Sequence, residues 1–336
     1  MPSRQPVVVV GAGIAGLACA RAMADAGLAV RVLEQDRSVG GRMATRRVQG
    51  QPVDHGAQYV TASDPGFEAL LRRLAATGLA EPWATELHRY ERGHIKPGGA
   101  RETGRVRWAF PDGMSTLARH LAADLDVRRQ ARVTGLARAQ RGWLVTTAAG
   151  AEQPARAVVL AVPAPRAVPL LDAVPGLAEL AGAASSVRYD PCWVLAAGYP
   201  AAPPPVWRGV FVEDDPAVAW VCHDSSKRHG PPATALVTHA TGGWTSDRLD
   251  RDPARVEADL VAATVRVVGR WAAVPAWAVV HCWREAQLAR GVDDPWLLAA
   301  GHAPIGLCGD WCAGPKVEGA WRSGHGLGAA LAERLA

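Results

Sequence analysis

The feature that most restricts this chain lies near its start. The β-branched run Val7-Val8-Val9-Val10 leads straight into Gly11-Ala12-Gly13-Ile14-Ala15-Gly16. Apolar residues then recur at helical spacing through Ile14, Leu17, Ala18, Ala22 and Met23, and Gly27 stands where a helix ends. The valine run suits a parallel strand buried on both faces. Ala29 to Leu33 form a second strand, which finishes at Glu34. Strand, glycine turn, helix and strand with a terminal acid make a dinucleotide-binding unit. In such a unit Gly11 permits the tight turn, Gly13 lets the backbone approach a pyrophosphate, and Gly16 lets helix and strand pack closely. The helix start offers N–H groups and partial positive charge to the phosphates. Glu34 is placed to accept both ribose hydroxyls of an adenosine.

That unit alone does not separate FAD from NAD, but later motifs do. Gly40-Gly41-Arg42-Met43 follows the second strand, then Asp54-His55-Gly56-Ala57-Gln58-Tyr59. Near the other end Gly309-Asp310 closes the apolar run Ile305–Cys308, and Val317-Glu318-Gly319-Ala320-Trp321 leads into a final helix over 324–335. An aspartate after that strand can accept hydrogen bonds from ribityl hydroxyls, which NAD lacks. A helix start can stabilise the negative charge that two-electron reduction leaves on the flavin N1–C2=O edge. FAD is the expected cofactor.

Further strands are expected at Arg132–Ala137, Trp143–Thr147 and Val158–Val162. The expected fold class is α/β with two interleaved domains. Residues 1–62, 107–170 and 301–336 would form a Rossmann-type FAD-binding domain. Residues 63–106 and 171–300, with most of the tryptophans, would form a substrate domain on a mixed or antiparallel sheet.

The net charge of +5 carries no nucleic-acid footprint, since the basic residues are spread rather than striped. Only Lys96, Lys227 and Lys316 among the 37 basic residues are lysines. The six cysteines form no CxxC pair, and Cys308 with Cys312 has no companion pair at zinc spacing, so no metal site is expected. Arg21 and Asp25 interrupt the apolar N-terminal stretch, and no other stretch is long enough to span a bilayer. A cytoplasmic protein with reduced thiols, and with neither membrane nor nucleic-acid partner, is expected.

The motifs GAGIAGL, GGRMATRR, DHGAQYVTAxD, RWxxPxGMS (Arg107 to Ser115), VPAP from Val162 and CGDWCxxxxVEGAW together resemble the renalase family, in its bacterial branch. The likeness runs from end to end. It implies a fold similar to p-hydroxybenzoate hydroxylase with noncovalent FAD. The implied activity is oxidation of the 2- and 6-dihydro isomers of NAD(P)H to β-NAD(P)⁺, with hydride passing to flavin N5 and O₂ reoxidising the flavin to give hydrogen peroxide. No catalytic side chain is required, because a dihydropyridine surrenders hydride without first losing a proton.

Residue by residue, the resemblance implies cofactor contacts at Ala12, Ile14, Ala15, Glu34, Arg42 and Asp310. Met43, Ala57 and Gln58 would line the flavin, Val133 the adenine side, and Val317, Glu318 and Gly319 the pyrimidine end. Tyr59, Val60, Thr61, Ala62 and Ser63 would lie beside the nicotinamide. Val60 departs from the aromatic residue often found there, and Val162 from a polar one. His239, His281, Trp283, Trp311 and Trp321 are candidate walls; His239 and Trp321 are the substrate-binding choices among them. The competing expectations are a flavin oxidase acting on amines, which often places a lysine near N5, and a non-catalytic flavoprotein serving as a redox sensor.

Overall fold

A computed structural model describes residues 5–98, 103–231 and 233–336. The fold is mixed α/β, with a Rossmann-like unit and a second unit. Contacts group Met1–Arg42, Leu117–Arg188 and Leu288–Ala336 into the first, and Met43–Thr116 and Tyr189–Gln287 into the second. From sequence, 43–62 and 107–116 are expected with the first unit, and 171–188 and 288–300 with the second. By contacts each falls on the other side. Turn residues mark where elements end, not the sheet on which an element packs.

In the first unit Val7–Val10 is central, pairing in parallel with Val30–Leu33 on one side and Ala157–Leu160 on the other. Asp126–Arg128 extends the sheet beyond Val30–Leu33, and Ile305–Leu307 extends it beyond Ala157–Leu160, both in parallel. Leu297–Ala299 adds an antiparallel edge. The central place explains the unbroken valine run, since both faces are covered and all four residues are buried. Helix Ile14–Asp25 and the terminal helix Lys316–Leu335 pack against each other. The latter begins eight residues before the expected Gly324. Its internal glycines look like breakers in sequence, yet a Cβ on Gly324 would stand 1.9 Å from the Ala15 carbonyl oxygen. Close packing outweighs poor helix propensity here.

The second unit is built on seven strands. Their order is Trp277–Arg290, Arg188–Tyr199, Thr234–Ala240, Val218–His223, Gly209–Val212, His88–Glu91 and His94–Pro97. Alternation assigns the faces. Leu195, Ala197, Tyr199 and Leu236 pack with Val256, Leu260 and Ala263 of helix Pro253–Val268. The intervening Val194, Ala196, Val237, Trp220 and Cys222 pack with Val53 and Trp83 on the opposite face. Thr238 Oγ1 lies 2.9 Å from Thr264 Oγ1 on the helix, so His239, next along the strand, belongs to the face opposite. No helix of the described residues is long and apolar enough to cross a membrane.

Candidate flavin and substrate site

The first unit gathers the glycine turn, Glu34, the Gly40–Arg42 loop and Asp310. Gly11 has φ +102°, and a Cβ there would meet the Ala161 carbonyl oxygen at 2.7 Å; one on Gly16 would meet the Gly11 oxygen at 2.0 Å. By contrast, a Cβ on Gly13 would meet nothing within 4 Å. Two glycines therefore close the turn, and the middle one leaves open space where a diphosphate approaches. Gly13 caps the helix without a side-chain hydrogen bond, so the helix start remains available to an anion. The Ala12 and Asp36 amides donate to the Glu34 carboxylate at 2.7 and 2.9 Å. Burial pushes that carboxyl up, and the two N–H bonds hold part of the rise back. Gln130 and Ala131 pair with Asp36 and Glu34 through the backbone, which brings Val133 to the same edge.

Gly40 N donates to the Ala12 oxygen at 2.8 Å, drawing the second glycine loop onto the first. From that loop Arg42 forms a two-pronged bond to Asp310, at 2.6 and 2.7 Å. The carboxylate side chain is 9% exposed and the guanidinium 31%. Val317, Glu318 and Gly319 lie in the first turns of the terminal helix rather than before it, with Pro315 as its cap and no side-chain cap bond. Trp321 is buried and stacks on His325, with centroids 4.8 Å apart. The open turn, the uncapped helix starts and the acid on either side fit a dinucleotide with a polyol arm. Asp310→Ala is expected to bind FAD about 10–100-fold more weakly, the loss of a charge-assisted acceptor. Full flavin occupancy in the purified variant would remove Asp310 from the cradle.

The second unit holds Met43, Ala57, Gln58, Tyr59–Ser63 and His239. Hairpin Thr45–Val48/Gln51–Asp54 lies over the sheet face that carries His239. Val60 exchanges both backbone bonds with Trp108 and is buried, as are Met43 and Gln58. Asp64 caps helix Pro65–Ala76, which sets where Thr61, Ala62 and exposed Ser63 run. Tyr59 sits between Trp83 and Trp220, at 6.0 and 6.1 Å. A small cavity is lined by Arg46, Val53, His55, Val194, Val279 and His281. Trp283 donates to the His55 oxygen at 2.7 Å, and its ring stacks on His55 while His281 stands edge-on to both.

Beneath this surface lies a group that sequence reasoning missed. The side chains of Asp54, Asp224 and Lys227 are fully buried, and that of Arg228 nearly so. Lys227 Nζ reaches Asp54 at 2.9 Å and Asp224 at 2.6 Å, and Arg228 bridges the same two carboxylates at 2.6 and 3.0 Å. Burial alone would raise the Asp54 carboxyl, but the Lys227 and Arg228 charges overcome it and hold it far below the usual range. The one available signal was the rarity of lysine together with Asp224 three positions before Lys227.

Two family models match the chain. One, a NAD(P)-binding Rossmann-like domain, covers residues 9–74; the other, flavin containing amine oxidoreductase, covers residues 84–326, well over half of the chain. The chain belongs to the flavin-containing amine oxidoreductase family. Its cofactor is accordingly FAD. A Mycobacterium tuberculosis protein named as a flavin-containing monoamine oxidase is 38% identical over 141 residues, 37% of this chain and 29% of that protein. A putrescine oxidase of Kocuria rosea is 38% identical over 114 residues, 33% of this chain and 22% of the relative. The matches thus span less than a third of these relatives' length. Among solved structures, cyclohexylamine oxidase from Brevibacterium oxydans superposes with TM-score 0.76 at 15% identity, covering 98% of this chain and 99% of that one. Putrescine oxidase bound to putrescine gives 0.72 at 16%, covering 97% and 98%. At such identity the likeness is one of fold, and it extends along this family member from end to end.

Electrostatics on the sheet face carry a pH signature. Burial, aided by neighbouring His281 and Arg46, pushes the His55 imidazole down to about 4. Burial, then Lys227 and His55, push His239 to about 4 as well. Between about pH 6.5 and 4 the unfolded chain binds protons that these folded imidazoles refuse, so stability falls as pH falls through that window. The expected loss is about 2 kcal/mol for each ring, allowing for partial exposure. Denaturant midpoints at pH 7 and 4.5 measure it, and a His55→Gln/His239→Gln double variant should lose that part of the slope.

Proposed function

We propose that this family member is a renalase-type oxidase, converting 2- and 6-dihydro isomers of NAD(P)H to β-NAD(P)⁺. In this reading the first unit binds FAD noncovalently through Gly11–Gly16, Glu34, Gly41, Arg42, Gly309, Asp310 and Val317–Gly319. The second presents Tyr59–Ser63 and His239 to the substrate. Bound FAD would supply acceptance of a hydride, the two electrons passing on, with a proton, to O₂ as hydrogen peroxide. Cys312, buried and pushed well up by desolvation, is a poor nucleophile for a covalent flavin link. Six free cysteines agree with a cytoplasmic setting.

One observation carries the choice of substrate. Among its described residues, the second unit offers no strong base to the surface on which a substrate would rest. Lys227 is locked with three other buried charges, and His55 and His239 hold their protons too weakly to deprotonate an ammonium. Lys96 lies at a hairpin paired with Glu91, and Lys316 is exposed at the start of the terminal helix. An alkylammonium must lose a proton before its carbon can release hydride; a dihydropyridine need not. The chain's own residues are then left to bind, orient and exclude water.

Oxidation of an amine is the second reading, favoured by the family and by the relatives' names. Tyr59 between two tryptophans would give such a substrate an aromatic wall. An anaerobic titration separates the two. A borohydride-generated mixture of NADH isomers should bleach the flavin, with ordinary NADH far slower. Bleaching by benzylamine or putrescine but not by the isomers would overturn the renalase reading, and a flavin that no donor reduces would favour a sensor.

A further inference from the structure

Gln58 and His239 meet on the face of the seven-stranded sheet opposite helix Pro253–Val268, with the buried ammonium of Lys227 beside Gln58. Lys227 Nζ lies 3.2 Å from both the side-chain and the main-chain oxygen of Gln58. An ammonium only donates, so Gln58 must turn its Oε1 toward it. The other end of the amide then faces the Asp54 and Gly56 carbonyl oxygens, at 2.5 and 2.9 Å, both of which only accept. Three independent neighbours thus dictate one orientation. In that orientation Gln58 Nε2 stands 3.4 Å from His239 Nε2. An amide NH₂ carries hydrogens and no available lone pair, so a proton on His239 Nε2 would point at another proton.

We propose that Gln58, locked by Lys227, is a positioning residue that keeps His239 neutral and protonated on Nδ1. The charged and titratable groups around the ring agree. Lys227 approaches from the turn Asp224–Lys227 and His55 from the segment after the hairpin, while His55 itself is neighboured by His281 and Arg46. Desolvation, then the Lys227 charge and His55, all push the ring toward its neutral form.

The consequence for catalysis rests on reading His239 as a substrate-facing residue; the tautomer does not. A hydride donor, whether dihydropyridine or amine, gains positive charge as it is oxidised. An imidazolium beside it would oppose that charge, whereas a neutral ring with a fixed Nδ1–H offers a donor and no repulsion.

The test is ¹H–¹⁵N correlation spectroscopy on the FAD-loaded protein with ¹⁵N-labelled histidine, His239 being assigned from a His239→Gln variant. The wild type should show a protonated Nδ1 and a bare Nε2 for His239, unchanged from about pH 8 to pH 5. In Gln58→Glu a carboxylate replaces the amide; the proton should move to Nε2 and the titration midpoint should rise above about pH 6. Gln58→Leu, which removes the donor without adding charge, should give a mixture of tautomers and serves if the glutamate variant fails to fold. A wild-type ring protonated on Nε2, or a His239 tautomer that neither variant disturbs, would overturn the proposal. Anaerobic flavin reduction should be flat in pH for the wild type and should slow on acidification in Gln58→Glu. If the tautomer moves while the rate stays flat, the positioning role of Gln58 stands and His239 is removed from the substrate surface.

Discussion

A Lys227→Met variant is expected to lose about 3–5 kcal/mol of folding free energy, the cost of leaving buried charge uncompensated. With the ammonium gone, Asp54 and Asp224 share only Arg228, and two negative charges face one positive charge in a water-free setting. Asp54 also accepts from the Met114 amide and the Thr45 hydroxyl, and Arg228 reaches the Phe110 carbonyl, so the damage spreads along the segments that carry Gln58 and Tyr59. The denaturant midpoint should drop with little change in slope. A Lys227→Met/Asp54→Asn double variant, which removes one charge of each sign, should recover part of the loss. A single variant within 1 kcal/mol of wild type, the scale of an exposed ion pair, would show that water reaches the cluster.

One chemical change at two glycines should give opposite signs. Gly324→Ala places a Cβ about where the Ala15 carbonyl oxygen and its carbon lie, 1.9 and 2.6 Å away. Neither is a flexible side-chain end, so the terminal helix must move off helix Ile14–Asp25, at a cost of about 3 kcal/mol. Ala15 is in the first turn of the helix that faces the dinucleotide, so flavin content should fall as well. Gly182 lies inside helix Ala178–Ser186, and a Cβ there meets nothing within 4 Å. Gly182→Ala should therefore raise stability by about 0.4–1 kcal/mol, through the smaller freedom of the unfolded chain. Thermal melts of the two variants make the comparison, and a tolerated Gly324→Ala would contradict the close helix packing.

Local patterns were legible where one short segment does one task. The glycine turn needs its residues at fixed spacing, and Val7–Val10 needs apolar groups on both faces, so strand, turn and helix follow from order alone. Trp143–Thr147, bounded by turn residues, is the middle strand of a three-stranded antiparallel sheet. Propensity alone starts the terminal helix too late, because glycine is a poor helix former, whereas a Cβ on Gly319 would stand 2.0 Å from the Gly314 carbonyl oxygen and one on Gly324 1.9 Å from that of Ala15. Domain limits were displaced for a related reason: the hairpin after Met43 has nothing in its own residues to name the sheet it covers.

The sequence by itself determined the dinucleotide unit, the FAD expectation and the acids at its two ends, since each is encoded by residue types at short and fixed separations. Only the tertiary structure decided that Arg42 would grip Asp310 across 268 positions, and that Asp54 would meet Lys227 across 173. It alone brought the Gln58 amide within 3.4 Å of the His239 imidazole. Such pairings depend on which strands become neighbours and which face each residue takes. A charge, read in order along the chain, carries no record of the partner that will keep it out of water.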